Sequence, residues 1–172
     1  MTADPDGPLH RPVSVAHLPE GGLDVTMEAS AEERAALAAE FGLPAIRSLT
    51  GRFHLAGTPR HVEVTGRVAA EITQVCVVTL DEFDSGIEEE VAVEFAPLSD
   101  EARARREAQD PADDGPDDLV NGQIDLGALA AEFLALGLDP YPRKPGAVFA
   151  QGEAAEVSGS PFAALKRLTS QE

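Results

Sequence analysis

Alternating apolar and polar positions dominate the middle of the chain. Apolar residues hold the even positions from Val62 to Leu80, with interruptions at Gly66 and Gln74. A period of two predicts a strand with one buried face. A single strand of that length would reach about 60 Å at ~3.3 Å per residue. That exceeds the size expected for a small domain, so the pattern predicts a bend or break near Gly66 or at residues 69–70.

The segment that follows alternates in the same way after a polar stretch. Residues 81–86 (DEFDSG) predict a turn, and residues 87–95 (IEEEVAVEF) separate apolar from acidic residues by parity. This pattern is typical of a half-solvated antiparallel strand. Similar but weaker patterns predict further strands at residues 12–18, 23–29 and 51–57. The strands together predict an antiparallel meander.

The first predicted helix lies at residues 30–44. Ser30 and Glu33 have the spacing of a capping box, in which each side chain accepts a hydrogen bond from the other residue's amide. Leu37 and Phe41 fall on one helical stripe. Gly42, with a proline two residues later, predicts the end of the helix.

A second helix is predicted after residue 124. Asp125 is a suitable N-cap, and Gly137 predicts the end of the helix. The apolar stripe of this helix consists of Leu126, Leu129, Ala130, Phe133 and Leu134. Such a stripe is suited to covering one face of a sheet.

These elements predict an α+β fold. We expect an antiparallel β-meander sheet or partial barrel packed against two amphipathic helices, with a disordered acidic loop at about residues 99–119. The predicted domain organisation is a flexible N-terminal tail (1–12), a single α+β domain (13–150) and a mostly flexible C-terminal tail (151–172). That tail contains one short amphipathic piece, PFAALKRL at residues 161–168.

The acidic net charge of the chain indicates which classes of partner it can bind. The chain has a formal net charge of −18, and residues 81–120 alone contribute −12, from fifteen acids and three arginines. This balance disfavours broad contact with nucleic-acid phosphates and argues against a DNA-binding protein. It suits a basic protein partner, although solubility alone would also account for it.

Cysteine usage and hydropathy indicate a cytoplasmic protein. The chain has one cysteine, so no internal disulfide or cysteine-pair metal site is possible. The N-terminus lacks the basic and apolar regions of a secretory signal. No apolar run approaches the ~20 residues needed to span a bilayer, so no membrane association is expected.

The sequence contains no strong catalytic or metal motif. Cys76 has no nearby histidine, and the acids that follow it would raise a thiol pKa. Its parity with Ile72, Val78 and Leu80 predicts a buried structural residue. Acids at positions 88, 90 and 94 are suited to acid–base chemistry, but such a row is more typical of a solvated strand face. We therefore expect no catalytic residues, no metal ligands and no cofactor.

One segment is a candidate contact point. DPYPRKPGAVF, at residues 139–149, combines three prolines with Tyr141, the chain's single tyrosine, and with Arg143 and Lys144. Proline limits the entropy lost on docking, and arginine suits phosphate or carboxylate. We predict that Tyr141, Pro142, Arg143 and Lys144 bind a partner. The alternative is a helix-ending loop with Tyr141 packed inward.

Three segments resemble a known family. ASAEERAALAAEFGLPAIRSL, VTGRVAAEITQVCVVTLDEFDSGIEEEVAVEFAP and IDLGALAAEFLALGLDPYPRKPG occur in this order, followed by SPFAALKRL. Over roughly residues 12–168 the chain resembles the YceD family, the large ribosomal RNA subunit accumulation proteins, in their alphaproteobacterial form. QVCVVTL and LDPYPRKPG are the most specific of these pieces, and they make Gln74, Cys76 and Thr79 structural residues of the family motif.

The resemblance implies a cytoplasmic, non-enzymatic ribosome biogenesis factor. Such a factor would bind a ribosomal protein or a precursor of the large ribosomal subunit, with local contact to rRNA as a variant. In other branches of the family a Cys-x-x-Cys pair resembling zinc ligands stands at this position, where Thr79 here replaces the second sulfur. The alternative function is a small cytoplasmic enzyme or a redox or metal sensor that uses Cys76.

Overall fold

The computed structural model describes residues 7–99 and 115–148 of the chain. The elements follow in this order: β1 (Pro12–Ser14), β2 (Leu23–Glu28), α1 (Ala31–Phe41), β3 (Ala45–Thr58), β4 (His61–Val75), β5 (Glu82–Ala96), β6 (Asp117–Asp118), a 3-10 turn (Val120–Gly122), β7 (Gln123–Asp125) and α2 (Leu126–Leu136).

The strands form an open sheet in the order β2-β3-β4-β5-β6. The pairs from β2 to β5 are antiparallel, whereas β6 runs parallel to β5. A separate antiparallel pair joins β1 to β7. The predicted α+β class is confirmed. The sheet is open, so of the two predicted forms, meander sheet and partial barrel, the meander sheet is the one found. Residues 100–114 of the predicted acidic loop lie outside the described residues, while 117–118 pair with β5.

Both predicted helices are confirmed, and each begins at its predicted cap. Ser30 and Glu33 form the capping box at the start of α1, and Gly42 ends that helix in the left-handed conformation. Asp125 accepts hydrogen bonds from the second and third amides of α2, at 2.9 and 3.2 Å. These caps satisfy amides that the first helical turn would otherwise leave without a partner.

One face of the sheet packs against the helices and builds the core. In β4 the even-numbered residues Val62, Val64, Val68, Ala70 and Ile72 are buried, as their parity predicts. Leu37 of α1 and the apolar stripe of α2 complete the same cluster. The other face of the sheet is polar and open to solvent, so it remains available for contact.

The break predicted near Gly66 or at residues 69–70 is not found there, and the long apolar run ends as a strand at Val75 instead. β4 pairs with both neighbours without interruption across Gly66 and residues 69–70, and the only irregularity in the β3–β4 ladder lies between Ile46 and Ser48. A Cβ atom at Gly66 would lie 2.1 Å from the carbonyl oxygen of Arg52. The glycine therefore accommodates a close approach of β3 and keeps the ladder intact.

The predicted turn at 81–86 is also wrong, because β5 begins at Glu82. Asp84 and Ser85 pair within the ladder, where Thr73 donates to Asp84 at 2.8 Å and Ser85 donates to Gln74 at 3.0 Å. Since these cross-strand bonds satisfy the polar side chains, the stretch extends the strand. The turn instead occupies residues 76–81.

The N-terminal segment that precedes β1 contacts both helices. Leu9 is buried, although residues 1–12 were predicted to be a flexible tail. Arg11 binds Glu33 of α1 through two hydrogen bonds, and its backbone N–H donates to Asp125 at 2.7 Å. Residues 9–11 thus tie the starts of the two helices together. The domain boundaries stay a prediction.

Candidate partner-binding site

A tight turn at residues 76–81, here called the Cys76 turn, connects β4 to β5. The N–H of Cys76 donates to the Asp81 carbonyl, and the N–H of Leu80 donates to the Cys76 carbonyl, both at 2.9 Å. Leu80 has a φ of 62° and is 78% exposed. A bulky residue in the left-handed region is uncommon, so the sequence pattern, which predicted a strand here, gives no sign of this turn.

A second loop, residues 139–146, follows α2 and is called the basic loop. Asp139 accepts a hydrogen bond from the Tyr141 amide at 2.8 Å, and proline occupies positions 140, 142 and 145. Proline fixes φ and an aspartate of this kind stabilises a turn, so the loop has few alternative conformations.

The two loops are bonded to each other. The N–H of Val77 donates to the Pro142 carbonyl at 2.9 Å. The ammonium group of Lys144 lies 3.4 Å from the Asp81 carboxylate. The backbone N–H of Lys144 also lies near the Cys76 sulfur and helps to lower the thiol pKa. These contacts join segments more than sixty residues apart in sequence, and we refer to the pair as the joined loops.

The sulfur of Cys76 is the centre of this junction. The Thr79 hydroxyl and the backbone N–H groups of Lys144, Thr79 and Val78 lie around it and favour the thiolate. The Thr79 hydroxyl contributes most to lowering the thiol pKa, burial opposes it, and the net pKa is about 7. The sequence led us to expect a raised pKa. The difference arises because these donors favour the thiolate directly.

Cys76 is buried as predicted, but its setting differs from the prediction. It follows the last residue of β4 and lies outside the main apolar cluster, while Val78 is half-buried and Leu80 is exposed. The sulfur has no solvent-accessible surface. A substrate therefore cannot approach it without opening the joined loops.

The residues at this turn do not suit a zinc ion. A structural zinc site takes four cysteine or histidine ligands, and the chain has one cysteine. Thr79 is the nearest oxygen donor, and its hydroxyl acts on the Cys76 sulfur. Within residues 7–99 and 115–148, no three metal-binding side chains come together.

Of the predicted partner-binding residues, Tyr141 is 71% exposed, Arg143 and Lys144 are exposed, and Pro142 is half-buried. Tyr141 is therefore not packed inward. Gln74 of the family motif is 6% exposed and accepts the hydrogen bond from Ser85, which makes it a structural residue. Sequence reasoning missed the turn that carries the exposed Val77, because alternation extended the strand to Leu80.

A groove separates the basic loop from the β4–β5 hairpin. Its volume is about 410 Å³, and Gln74, Phe83, Ile87, Pro142 and Arg143 are among its lining residues. The groove is open to solvent along one side. It extends the contact surface of the basic loop onto the sheet.

The glutamates of β5 form an ion-paired surface. Arg67 bonds both Glu88 and Glu90, while Glu94 lies 3.7 Å from His61. All these side chains are more than half exposed. These exposed ion pairs are typical of a solvated strand face, as the sequence suggested.

No helix among the described residues is long and apolar enough to cross a membrane.

Comparison with known proteins identifies the family. The model of the YceD family, described as large ribosomal RNA subunit accumulation protein YceD, matches residues 64–169. No curated protein and no solved structure matches the chain. The matched range covers more than half of the 172 residues and includes most of β4, all of β5 and α2, and both joined loops. The chain therefore belongs to the YceD family.

Proposed function

We propose that this protein is a non-enzymatic, cytoplasmic ribosome biogenesis factor that binds a ribosomal protein or precursor rRNA of the large subunit. The family description indicates a role in accumulation of large-subunit rRNA and names no reaction. The observation that carries the proposal is the basic loop. It presents Tyr141 and Arg143 to solvent while its backbone is held by the Cys76 turn.

A loop held in this way loses little entropy when it docks. Proline restricts the conformations of the unbound loop. The bonds from Val77 and Lys144 fix the loop on the sheet. Tyrosine and arginine are the residue types that dominate binding energy at protein interfaces. Arg143 has no ion-pair partner among the described residues, so its guanidinium is available to a partner.

Charge favours a protein as the main partner. The open face of the sheet carries the carboxylates of β5, and the chain is strongly acidic overall. Ribosomal surfaces that contact RNA are rich in Lys and Arg, which suits an acidic face through long-range attraction. Any contact with rRNA would be local to the basic loop, since phosphate is repelled elsewhere.

The second candidate is a redox sensor or small enzyme that uses Cys76. It is favoured by the thiol pKa of about 7, which makes a large fraction ionised near neutrality. It is disfavoured by the complete burial of the sulfur. Replacement by Cys76→Ser decides between them, because a sensor or enzyme loses function with the fold intact, whereas a binding module keeps its partner.

The test is affinity purification of the intact protein from cells at moderate salt. We expect co-purification of large-subunit ribosomal protein or a precursor particle, and loss of most of it in Arg143→Glu. Arg60→Glu is the matched control, because Arg60 is also exposed and unpaired but lies in the β3–β4 turn, at the opposite end of β4. Recovery of neither ribosomal protein nor precursor particle with the wild type would refute the proposal.

A gel shift with large-subunit rRNA fragments distinguishes the two partners. A salt-sensitive shift that Arg143→Glu abolishes and Arg60→Glu preserves would assign the contact to RNA. Protein recovery without such a shift would assign it to a ribosomal protein.

A further inference from the structure

The outer side of β5 has no neighbouring strand along most of its length. β5 runs from Glu82 to Ala96 and pairs with β4 along its inner side. On the outer side, within residues 7–99 and 115–148, the strand pairs only at Phe95 and Ala96, with β6. We call the remaining stretch, residues 82–94, the β5 edge. It spans about 40 Å at ~3.3 Å per residue, which is longer than a typical strand of about five or six residues.

The backbone of the β5 edge points hydrogen-bonding groups outward. The N–H of Leu119 donates to the Ala96 carbonyl at 3.0 Å across the β5–β6 pair, so the backbone groups of Ala96 face away from β4. These directions alternate residue by residue along a strand, and the β4–β5 ladder has no register shift. The even-numbered residues of the β5 edge therefore direct N–H and C=O groups outward as well. A row of this kind is a template for a further strand.

The core-facing side chains of β5 are covered less well than those of β4. Val64 and Val68 of β4 have no exposed surface, whereas Ile87 and Val93 of β5 are only partly buried although they pack against the same core. The difference arises because β4 has a long strand on each side and β5 has one on its inner side only. A strand added at the β5 edge would bury the rest of this apolar surface.

Grooves that are open to solvent lie at both ends of the β5 edge. The first, of about 410 Å³, separates residues 83–87 from the basic loop. The second, of about 340 Å³, separates residues 92–94 from residues 115–117. The described chain therefore leaves room beside both ends of the edge.

The β5 edge is acidic along its whole length. Residues 82–94 contain six acidic residues and no basic residue. Five of the six stand at even-numbered positions, so they lie on the open face of the sheet beside the outward backbone groups. These five exposed residues are called the edge carboxylates: Glu82, Asp84, Glu88, Glu90 and Glu94. Side chains directly opposite on a neighbouring strand would lie about 5 Å away, which favours lysine or arginine at those positions.

The same charges argue against a second copy of this chain as the occupant. Pairing of two β5 edges would bring two rows of carboxylates side by side, and like charges on neighbouring strands are destabilising. Charged side chains on an edge strand are a common protection against such self-association. The occupant that fits is a different protein with the opposite charge.

We propose that the β5 edge accepts an extended segment of a basic protein as an additional strand. The segment alternates basic and apolar residues. Its basic side chains lie opposite the edge carboxylates, and its apolar side chains cover Ile87 and Val93. Backbone hydrogen bonds supply affinity, and the alternation supplies specificity. The inference deepens the proposed function and rests on it for the source of the segment, a ribosomal protein.

Amide hydrogen exchange, measured by NMR on the full chain, tests the proposal. The probe is a short synthetic peptide of alternating lysine and valine. In the free protein, the even-numbered amides of the β5 edge should exchange faster than the odd-numbered ones, which bond to β4. At a peptide concentration about ten times its Kd, exchange of the even-numbered amides should slow about tenfold. The same peptide with methylated backbone nitrogens keeps its charge but loses its donors, and it should give no protection.

A substitution in the protein makes the matching comparison. Ala92→Pro removes one outward N–H and no bond to β4, and proline is found on edge strands in this orientation. The affinity for the peptide should fall roughly tenfold, because pairing is interrupted within the β5 edge. Ala92→Ser keeps the N–H and should bind as the wild type does. If Ala92→Pro fails to fold, the methylated peptide makes the same test on the wild type.

Several results would overturn the proposal. Even-numbered amides that are protected in the free protein would mean that this chain covers the edge itself, and protection that grows with protein concentration would assign the edge to a second copy. Equal protection by the methylated peptide would mean that charge alone attracts it. Protection along β2, at the other end of the sheet, or no protection at all would exclude the β5 edge as the site. The assay contains no ribosomal component, so its failure is distinguishable from failure of the co-purification.

Discussion

At the scale of single residues, the pKa of Cys76 is set by the N–H and O–H groups around its sulfur and not by the carboxylates that follow it in sequence. Acids follow it closely along the chain, yet the groups that touch its sulfur are N–H and O–H donors. One of those donors belongs to Lys144. The sequence predicted burial correctly from parity. It could not predict the pKa, because in a strand Thr79 would face away from Cys76, whereas the turn brings the Thr79 hydroxyl to the sulfur.

Replacing Thr79 by valine should raise the pKa of Cys76 from about 7. The Thr79 hydroxyl is the largest cause of the lowered pKa, and its loss should move the thiol toward the ordinary value of about 8.5. Far-ultraviolet absorbance of the thiolate measures this directly, since Cys76 is the single cysteine. Thr58→Val, at the exposed end of β3, should leave the titration unchanged. Identical curves for Thr79→Val and the wild type would contradict the assignment.

At the scale of elements, features fixed by residues close in sequence were predicted correctly. Features fixed by contacts between segments distant in sequence were not. The start of α1 at Ser30 and of α2 at Asp125 could be predicted, because a capping residue acts within three positions of itself. The end of β4 could not, because the Cys76 turn is fixed partly by its bond to Pro142. Gly66 was misread as a break for a similar reason. Its role depends on the approach of β3, which periodicity does not reveal.

Gly66→Ala should destabilise the sheet far more than Gly86→Ala. A Cβ at Gly66 would lie 2.1 Å from the Arg52 carbonyl oxygen, so β3 and β4 must move apart, at a cost of about 2 kcal/mol or more. At Gly86 in β5 the nearest atom is a flexible carboxylate oxygen of Glu71 at 3.4 Å. That substitution should change the free energy of unfolding by less than about 0.5 kcal/mol. Urea denaturation compares the two, and equal losses would show that Gly66 is not a close-approach site.

At the scale of the whole molecule, the N-terminal segment connects the starts of the two helices. Arg11 binds Glu33 at the first turn of α1 and donates its backbone N–H to Asp125, the cap of α2. Burial tends to raise the pKa of Asp125, but amide donors and His10 outweigh it, so the pKa is lowered. The hydrogen bond from Arg11, followed by the amide of Ser30, lowers the pKa of Glu33 to about 2.

This arrangement predicts a loss of stability in acid that Glu33→Gln removes. Since the pKa of Glu33 is lower in the folded state than its ordinary value of about 4.3, its ionised form stabilises the fold fully above that pH. The contribution is lost as the pH falls toward about 2. At neutral pH we expect Glu33→Gln to cost about 1 kcal/mol, because the pair is partly solvated. Urea unfolding at several pH values should show the difference from wild type vanish in acid, with Glu32→Gln, exposed in the same turn, as the unaffected control. A pH-independent difference would exclude the ion pair as its cause.

The pairing of β1 with β7 sets an order for folding during synthesis. Arg11 and Asp125 stand 114 residues apart, so the first strand waits for almost the whole described sheet to be translated before its partner exists. The β3–β4–β5 hairpins need only neighbouring segments and can form on the nascent chain first. Until residue 125 emerges from the ribosome, Val13 has no strand to pair with, so closure of the N-terminus must follow formation of the β3–β4–β5 hairpins.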